Sequence, residues 1–256
     1  MGDAGPGTRT FDIPTGNQEN PRLQIRITEP ALRAKGLPLT TWASAEILAG
    51  LMQTIDSSRI VFPRVLNQSE VIPILELGAG TGMAGVSAAV RWNQHAVLTD
   101  LSPIVPGIAA NVALNKEILK DNRVLCGTLD WENPSDFHLA EDEGASPLAT
   151  ATKAHLILTA DTCYSEEHPL LISTTVAHWL SRDDPNARAV ICYALRVAYL
   201  DEIRELWSRL EDLGLESVAD GQQRADSQIF DDECLCEWSI WRWKQDTTGN
   251  GSAPAS

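Results

Sequence analysis

The stretch Val71 to Gly82, VIPILELGAGTG, decides the fold. Its first seven residues are a short run rich in Val, Ile and Leu, as in a strand covered on both faces. The glycines that follow let the backbone turn sharply and approach a ligand closely at the strand's carboxyl end. From Gly82 to Trp92 the sequence takes on helical period. Strand, glycine turn and helix form the opening unit of a doubly wound α/β sheet, whose ligands sit at the strand tips. Such a turn also serves plain packing of a helix on a strand. The dinucleotide fingerprint G-x-G-x-x-G is not met, because the third glycine comes one residue early and Met83 stands where it is required. This argues against a nicotinamide cofactor.

Further apolar runs follow at His95–Thr99, Arg123–Leu129, His155–Ala160 and Ala189–Leu195. Segments of helical period separate or follow them at Pro103–Asn115, Glu166–Ser181 and Tyr199–Leu213, the last closed by Gly214. Another helix, from Thr41 through Ile55, precedes the first strand. The polar stretch Asn133–Lys153 reads as a surface loop with at most a short helix. Beyond Gly214, Leu215–Ala219 and the aromatic Cys234–Trp243 are joined without a helix, which favours a hairpin-like antiparallel pair. The expected fold is a Rossmann-like doubly wound α/β sheet of seven strands, mostly parallel with an antiparallel C-terminal pair, and helices on both faces. Residues 1–20 and 246–256 read as flexible tails around a folded domain spanning 21–245.

The composition agrees with one globular domain: 256 residues, 43% hydrophobic and 21% charged. A net charge of −15 repels phosphate backbones and anionic lipid, so neither nucleic acid nor a membrane is expected as partner. The same charge attracts a basic protein, or merely keeps the chain soluble. No signal peptide or membrane-spanning run is visible, so a cytoplasmic protein is expected, with entry to the nucleus left open. The five cysteines are odd in number and lack a C-x-x-C pair, which predicts buried free thiols, with Cys234 and Cys236 on one strand face. No histidine or cysteine grouping has zinc spacing, and no metal is expected. Trp238, Trp241 and Trp243 have mixed parity on the last strand, so both its faces should pack into the protein. The acidic run Glu141-Asp142-Glu143 reads as a solvated loop. A monomer is expected.

Polar residues gather at successive strand ends. Asp100, 22 residues after Gly78, can accept hydrogen bonds from both hydroxyls of a ribose, or cap the helix beginning near Pro103. Leu129-Asp130-Trp131 places a carboxylate and an indole where an adenine could stack, although Trp131 alone fits a core equally well. Asp161-Thr162-Cys163-Tyr164 follows Ala160 at the fourth strand's end. Tyr193 and Arg196 at the fifth face the same edge and could shape an entrance, with a surface ion pair the equal alternative for Arg196.

Through ELGAGTG at 76–82, LTD at 98–100 and D-x-x-Y at 161–164, the chain resembles the seven-strand S-adenosylmethionine-dependent methyltransferases. More narrowly it resembles the family sixteen protein-lysine methyltransferases. This rests on Trp42 in Thr41-Trp42-Ala43-Ser44-Ala45, on Asp100-Leu101-Ser102-Pro103 followed by Asn111 and Asn115, and on Leu129-Asp130-Trp131. The resemblance runs from about Leu37 to Trp243. Its glycine motif is specific to the superfamily, whereas Trp42 and D-x-x-Y together are specific to the subgroup.

The resemblance implies S-adenosyl-L-methionine as cofactor. It assigns the cofactor to the motif residues Glu76, Gly78, Gly80, Thr81 and Gly82, to Asp100, Leu101, Asp130 and Trp131 at the next strand ends, and to Trp42 and Ala160. It places Asp161 and Tyr164 at the substrate lysine, and suggests a protein substrate such as a translation elongation factor. One departure is the middle pair Thr162-Cys163, where the family more often has apolar residues or proline.

The chemistry suits these residue types. Methyl transfer from a sulfonium is an in-line displacement in which positioning is the protein's main task. The nucleophile must be a neutral amine although free lysine has a pKa near ~10.4, so Asp161 would hold the amine through an oxygen acceptor. Tyr164 would wall the lysine channel, or simply pack at the helix start. Two rival functions keep the fold: a small-molecule N- or O-methyltransferase, with residues 133–153 as its lid, and a binding module without turnover.

Overall fold

Parallel strands with no exposed side need cover on both faces, and the chain supplies it with helices between consecutive strands. This computed structural model describes residues 7–29, 33–34, 36–63, 70–140, 150–230 and 234–245. It opens with a hairpin of β1 (Thr8–Pro14) and β2 (Arg22–Thr28), then the two-residue strands β3 (Arg33–Ala34) and β4 (Leu37–Pro38), and α1 (Ala43–Thr54). The alternating part follows as β5 (Val71–Leu77), α2 (Met83–Trp92), β6 (Ala96–Asp100), α3 (Val105–Leu114), α4 (Lys116–Leu119), β7 (Val124–Leu129) and β8 (Phe137–Leu139). It closes with β9 (Lys153–Ala160), α5 (His168–Trp179), β10 (Arg188–Ala194), α6 (Leu200–Asp212), β11 (Leu215–Arg224) and β12 (Leu235–Trp243).

The main sheet has the order β11-β12-β10-β9-β5-β6-β7-β8. Strands β10, β9, β5, β6 and β7 pair in parallel, β12 is antiparallel to both its neighbours, and β8 is antiparallel to β7. The chain leaves β5 toward β6 and β7, then returns to lay β9 on the other side of β5. The order therefore reverses at β5, where doubly wound sheets open a crevice at their carboxyl ends.

Strand alternation sorts the core onto two faces. Ile74, Leu98, Leu158 and Cys192 pack with Leu48 and Met52 of α1 and with Met83 and Val86 of α2. Leu75, Val97, Ile157 and Ile191 pack with Ile172 and Val176 of α5 and with Leu206 and Leu210 of α6. Helix α6 shows how the sequence specifies this: only Ile203, Leu206 and Leu210 of its stripe are buried, and Gly214 at φ 94° ends the segment. The last strand packs on both faces as its tryptophans require, with Trp238 against the first cluster and Trp241 and Trp243 with the second. All five cysteines are buried free thiols.

Two expectations are corrected. The main sheet has eight strands rather than seven, because Phe137–Leu139 adds to β7 within the stretch read as a loop. Three residues are too few to show a period. What holds them is tertiary: Phe137 lies edge-on to Trp179 with ring centroids 5.3 Å apart, and the Trp179 indole N–H donates to the Pro134 carbonyl at 2.9 Å.

The second correction concerns the N-terminus, where residues 8–14 are a strand and not part of a tail. Phe11 and Ile13 are buried and alternate with exposed Asp12 and Pro14, a pattern masked by the surrounding Gly, Pro, Thr and Asn. Two asparagines of the α3 segment clamp the hairpin. Asn111 Oδ1 accepts from the Thr28 N–H at 2.8 Å, and its amide donates to the Thr28 carbonyl at 3.1 Å. Asn115 exchanges the same pair of bonds with Arg26, at 2.9 and 2.7 Å. The acidic run at 141–143, residues 1–6 and the C-terminal stretch 246–256 lie outside the described residues.

Candidate functional site

The carboxyl ends of β5, β6, β7 and β9 border a cleft that opens to solvent, with about 840 Å³ of empty space that includes part of the solvent at its mouth. Gly78, at φ 61°, forms its floor. A Cβ there would sit 2.7 Å from the Thr162 methyl and 2.9 Å from the Trp131 ring, so only glycine lets the chain turn in that space. Asp100 stands at the tip of β6. Its carboxylate accepts from the backbone N–H of Gly80 at 2.9 Å and of Leu101 at 2.7 Å, which fixes both oxygens while leaving lone pairs toward the cleft. Burial pushes its pKa up, and these two donors pull the other way. The capping alternative for Asp100 fails: α3 begins after Ile104 with no side-chain cap.

At the tip of β7, Asp130 accepts from the Glu132 N–H at 3.0 Å, and Trp131 stands edge-on to His168 with centroids 5.7 Å apart. At the tip of β9, Asp161 adopts φ 58°, a left-handed conformation that a non-glycine residue rarely takes. Its N–H donates to the Cys192 carbonyl at 2.8 Å. Both its carboxylate oxygens are engaged by Arg196, Nη1 to Oδ1 at 2.5 Å and Nη2 to Oδ2 at 2.8 Å, with the Asp161 side chain only 5% exposed. The guanidinium carbon of Arg196 lies 5.3 Å from the ring centroid of Trp42, which precedes α1 and is 41% exposed. Tyr164 donates its N–H to His168 Nδ1 at 3.2 Å and sets its ring edge-on to that imidazole. Its phenol is pushed up, first by burial and then by Asp100 and Asp161.

The structure thus brings together on the cleft wall Gly78, Gly80, Asp100, Leu101, Asp130 and Trp131, and with them Trp42, Ala160, Asp161 and Tyr164. It does not bring three of the expected residues there. Glu76 is buried beneath the turn, where its Oε2 accepts from the Gly85 N–H at 2.9 Å and burial pushes its pKa up to about 8. Thr81 is buried behind it, its carbonyl accepting from the Asn111 amide at 3.1 Å, and Gly82 abuts Leu98. These residues brace the loop from below. Tyr193 is also displaced from the edge: it is fully buried, with its hydroxyl donating to Glu237 at 2.9 Å. Arg196 is not a surface ion pair: its side chain is mostly buried against Asp161, outside the residues that line the cleft.

Residues that the sequence reading passed over also line the cleft, among them Leu39, Thr40, Ile104 and His168. The position of His168, four residues after Tyr164, was the one available signal.

The donor set suits S-adenosyl-L-methionine. A carboxylate pre-held by backbone donors faces where a ribose would lie, an aromatic wall flanks it, and a glycine floor admits a ligand that a Cβ would exclude. Among the described residues, no group of three or more His, Cys, Asp or Glu could hold a metal ion.

Comparison with known proteins agrees. Residues 19–203 match the family described as lysine methyltransferase. The protein-lysine N-methyltransferase rrg1 of Schizosaccharomyces pombe is 28% identical over 243 residues, covering 92% of this chain and 70% of that protein. The protein-lysine N-methyltransferase EFM2 of Saccharomyces cerevisiae is 33% identical over 172 residues, 63% of this chain and 39% of that protein. Among solved structures, an O-methyltransferase family 2 protein from Planctomyces limnophilus shares the fold, with a TM-score of 0.52 and 13% identity over 78% of this chain and 57% of that one. The matched span takes in every strand tip of the cleft together with Trp42 and Arg196, and the chain belongs to the lysine methyltransferase family, S-adenosyl-L-methionine-dependent enzymes of protein-lysine methylation.

Proposed function

We propose that the cleft divides the reaction between its two ends. Gly78, Gly80, Asp100, Leu101, Asp130 and Trp131 hold the cofactor, with Ala160 beneath it and Trp42 over the mouth. Asp161 and Tyr164 receive the lysine of a protein substrate. The observation that carries this reading is the continuity of one cleft lined by both Asp100 and Asp161. When bound, the cofactor supplies an electrophilic methyl group: the amine lone pair forms the new N–C bond as the C–S bond breaks. The residues of this chain orient the amine, and the proton it sheds beforehand passes to water. Asp161 accepts a hydrogen bond from the neutral amine, and the Tyr164 ring, held by His168, limits its approach.

A net charge of −15 favours a basic substrate surface, and the family resemblance points to a translation elongation factor as the substrate class. No helix among the described residues is long and apolar enough to cross a membrane. A cytoplasmic monomer with access to the nucleus fits this reading.

Incubation with methyl-labelled cofactor and a lysate of matching origin should label one or a few protein bands on lysine. Asp161→Ala should reduce that label at least ~100-fold while cofactor affinity, measured by calorimetry, stays within about threefold. Label confined to small metabolites would replace this reading with that of a small-molecule methyltransferase.

A further inference from the structure

Asp161 poses an electrostatic difficulty for the amine site. A bare carboxylate beside a lysine favours the charged ammonium, which has no lone pair to attack with. In this protein the carboxylate is not bare. Arg196, placed just beyond β10, spreads its guanidinium across both oxygens, and the pair is almost closed to solvent, with side chains 13% and 5% exposed. The Asp161 backbone is fixed in its rare left-handed conformation by the bond to Cys192, and the Trp42 ring faces the guanidinium. Arginine keeps its charge at every pH a protein survives.

Resting on the proposed amine site, we infer that Arg196 is a positioning residue for methyl transfer: it cancels the charge of Asp161, so that the carboxylate accepts a hydrogen bond from the neutral lysine amine instead of trapping the ammonium. Each carboxylate oxygen that accepts from Arg196 keeps a second lone pair for the amine. The nearby cation also disfavours a second positive charge, which lowers the pH at which the amine becomes reactive.

Titratable groups of neighbouring elements also surround the pair. The Cys192 thiol of β10 and the Tyr164 phenol are both pushed up, mainly by burial, and remain neutral. Asp100 of β6 is a second carboxylate acting on Tyr164, and His168 of α5 lies against the Tyr164 ring. Arg196 is thus the cation that faces Asp161 directly among the described residues.

The test uses full-length protein, methyl-labelled S-adenosylmethionine and, as acceptor, the lysate protein that the unaltered enzyme labels. Initial rates are taken from pH 6.5 to pH 10 for the unaltered enzyme, Arg196→Gln and Arg196→Lys. We expect Arg196→Gln to lower kcat about tenfold or more near pH 7, with KM little changed, and to shift the rising limb of the profile by about one pH unit toward alkali. The rate should recover to within about threefold near pH 10, and Arg196→Lys should fall between. Cofactor affinity by calorimetry should stay close to that of the unaltered protein; the unpaired buried carboxylate lowers the unfolding temperature of Arg196→Gln, and a transition that still lies above the assay temperature separates the effect from misfolding.

An unshifted limb with lower KM and higher rate would show that Arg196 is a plug displaced by the amine, and overturns the inference. An equal loss of rate at every pH overturns it as well, reducing Arg196 to support for the loop. If the unaltered enzyme labels no protein, the amine-site reading itself fails, and this inference with it.

Discussion

The two ends of the cleft are built from different materials. At the cofactor end, rigidity comes from the main chain: glycines in left-handed conformations, and N–H groups of Gly80 and Leu101 gripping Asp100. At the amine end it comes from side chains drawn from distant segments, with Arg196 touching both Trp42 and Asp161. A main-chain cradle cannot be altered without disturbing the fold that shapes it. A side-chain cluster can be retuned one residue at a time. Cofactor affinity and stability should therefore be coupled at the first end, while reactivity at the second can be adjusted with cofactor affinity kept.

The largest expected effect comes from the clamp behind the cofactor end. Asn111→Ala removes the bonds to Thr28 and Thr81 and strands buried backbone groups, so urea unfolding should show a loss of about 3 kcal/mol together with weaker cofactor binding. A loss below about 1 kcal/mol would break the proposed coupling.

Glu76 sharpens the same point through pH. Its folded-state pKa of about 8 lies above the ordinary carboxylate value, so the folded state holds the extra proton between those limits. Stability should therefore fall as pH rises through that window, and level off above about 8. Glu76→Gln keeps the acceptor for Gly85 and should flatten the decline, by up to about 2 kcal/mol between pH 6 and 8, in paired denaturant titrations.

The smallest effect is expected at the wall itself. Asp100→Ala should weaken S-adenosylmethionine binding about tenfold, or ~1.4 kcal/mol, in calorimetry, leaving the remaining contacts to carry the rest. Undiminished affinity would remove Asp100 from the ribose site.

The same contrast explains what could be read in advance. The cofactor end is local in sequence: a glycine turn follows β5, and an acidic residue ends or follows each of the next two strands, so position along the chain alone places Asp100 and Asp130 at the tips. Contiguity also misled. Glu76 shares parity with Ile74 and points under α2, so a motif of seven adjacent residues supplies both the face toward the ligand and the face that braces it. The amine end has no such spacing. Nothing local joins position 196 to position 161, and their pairing follows from β10 lying beside β9. The N-terminal hairpin escaped notice because its alternation is short and its surroundings look like a tail. Strand β8 escaped because its hold on the sheet is its fit against β7 and Trp179.

That short strand has a consequence at the margin of the sheet. An open row of main-chain donors and acceptors invites another chain to zip on. One flank here ends in three residues, too brief a template to extend, and the other, β11, carries a register break between Ser217 and Ala219 and the polar run Asp220 to Arg224. Both flanks are thereby blunted against edge-to-edge pairing with a second sheet.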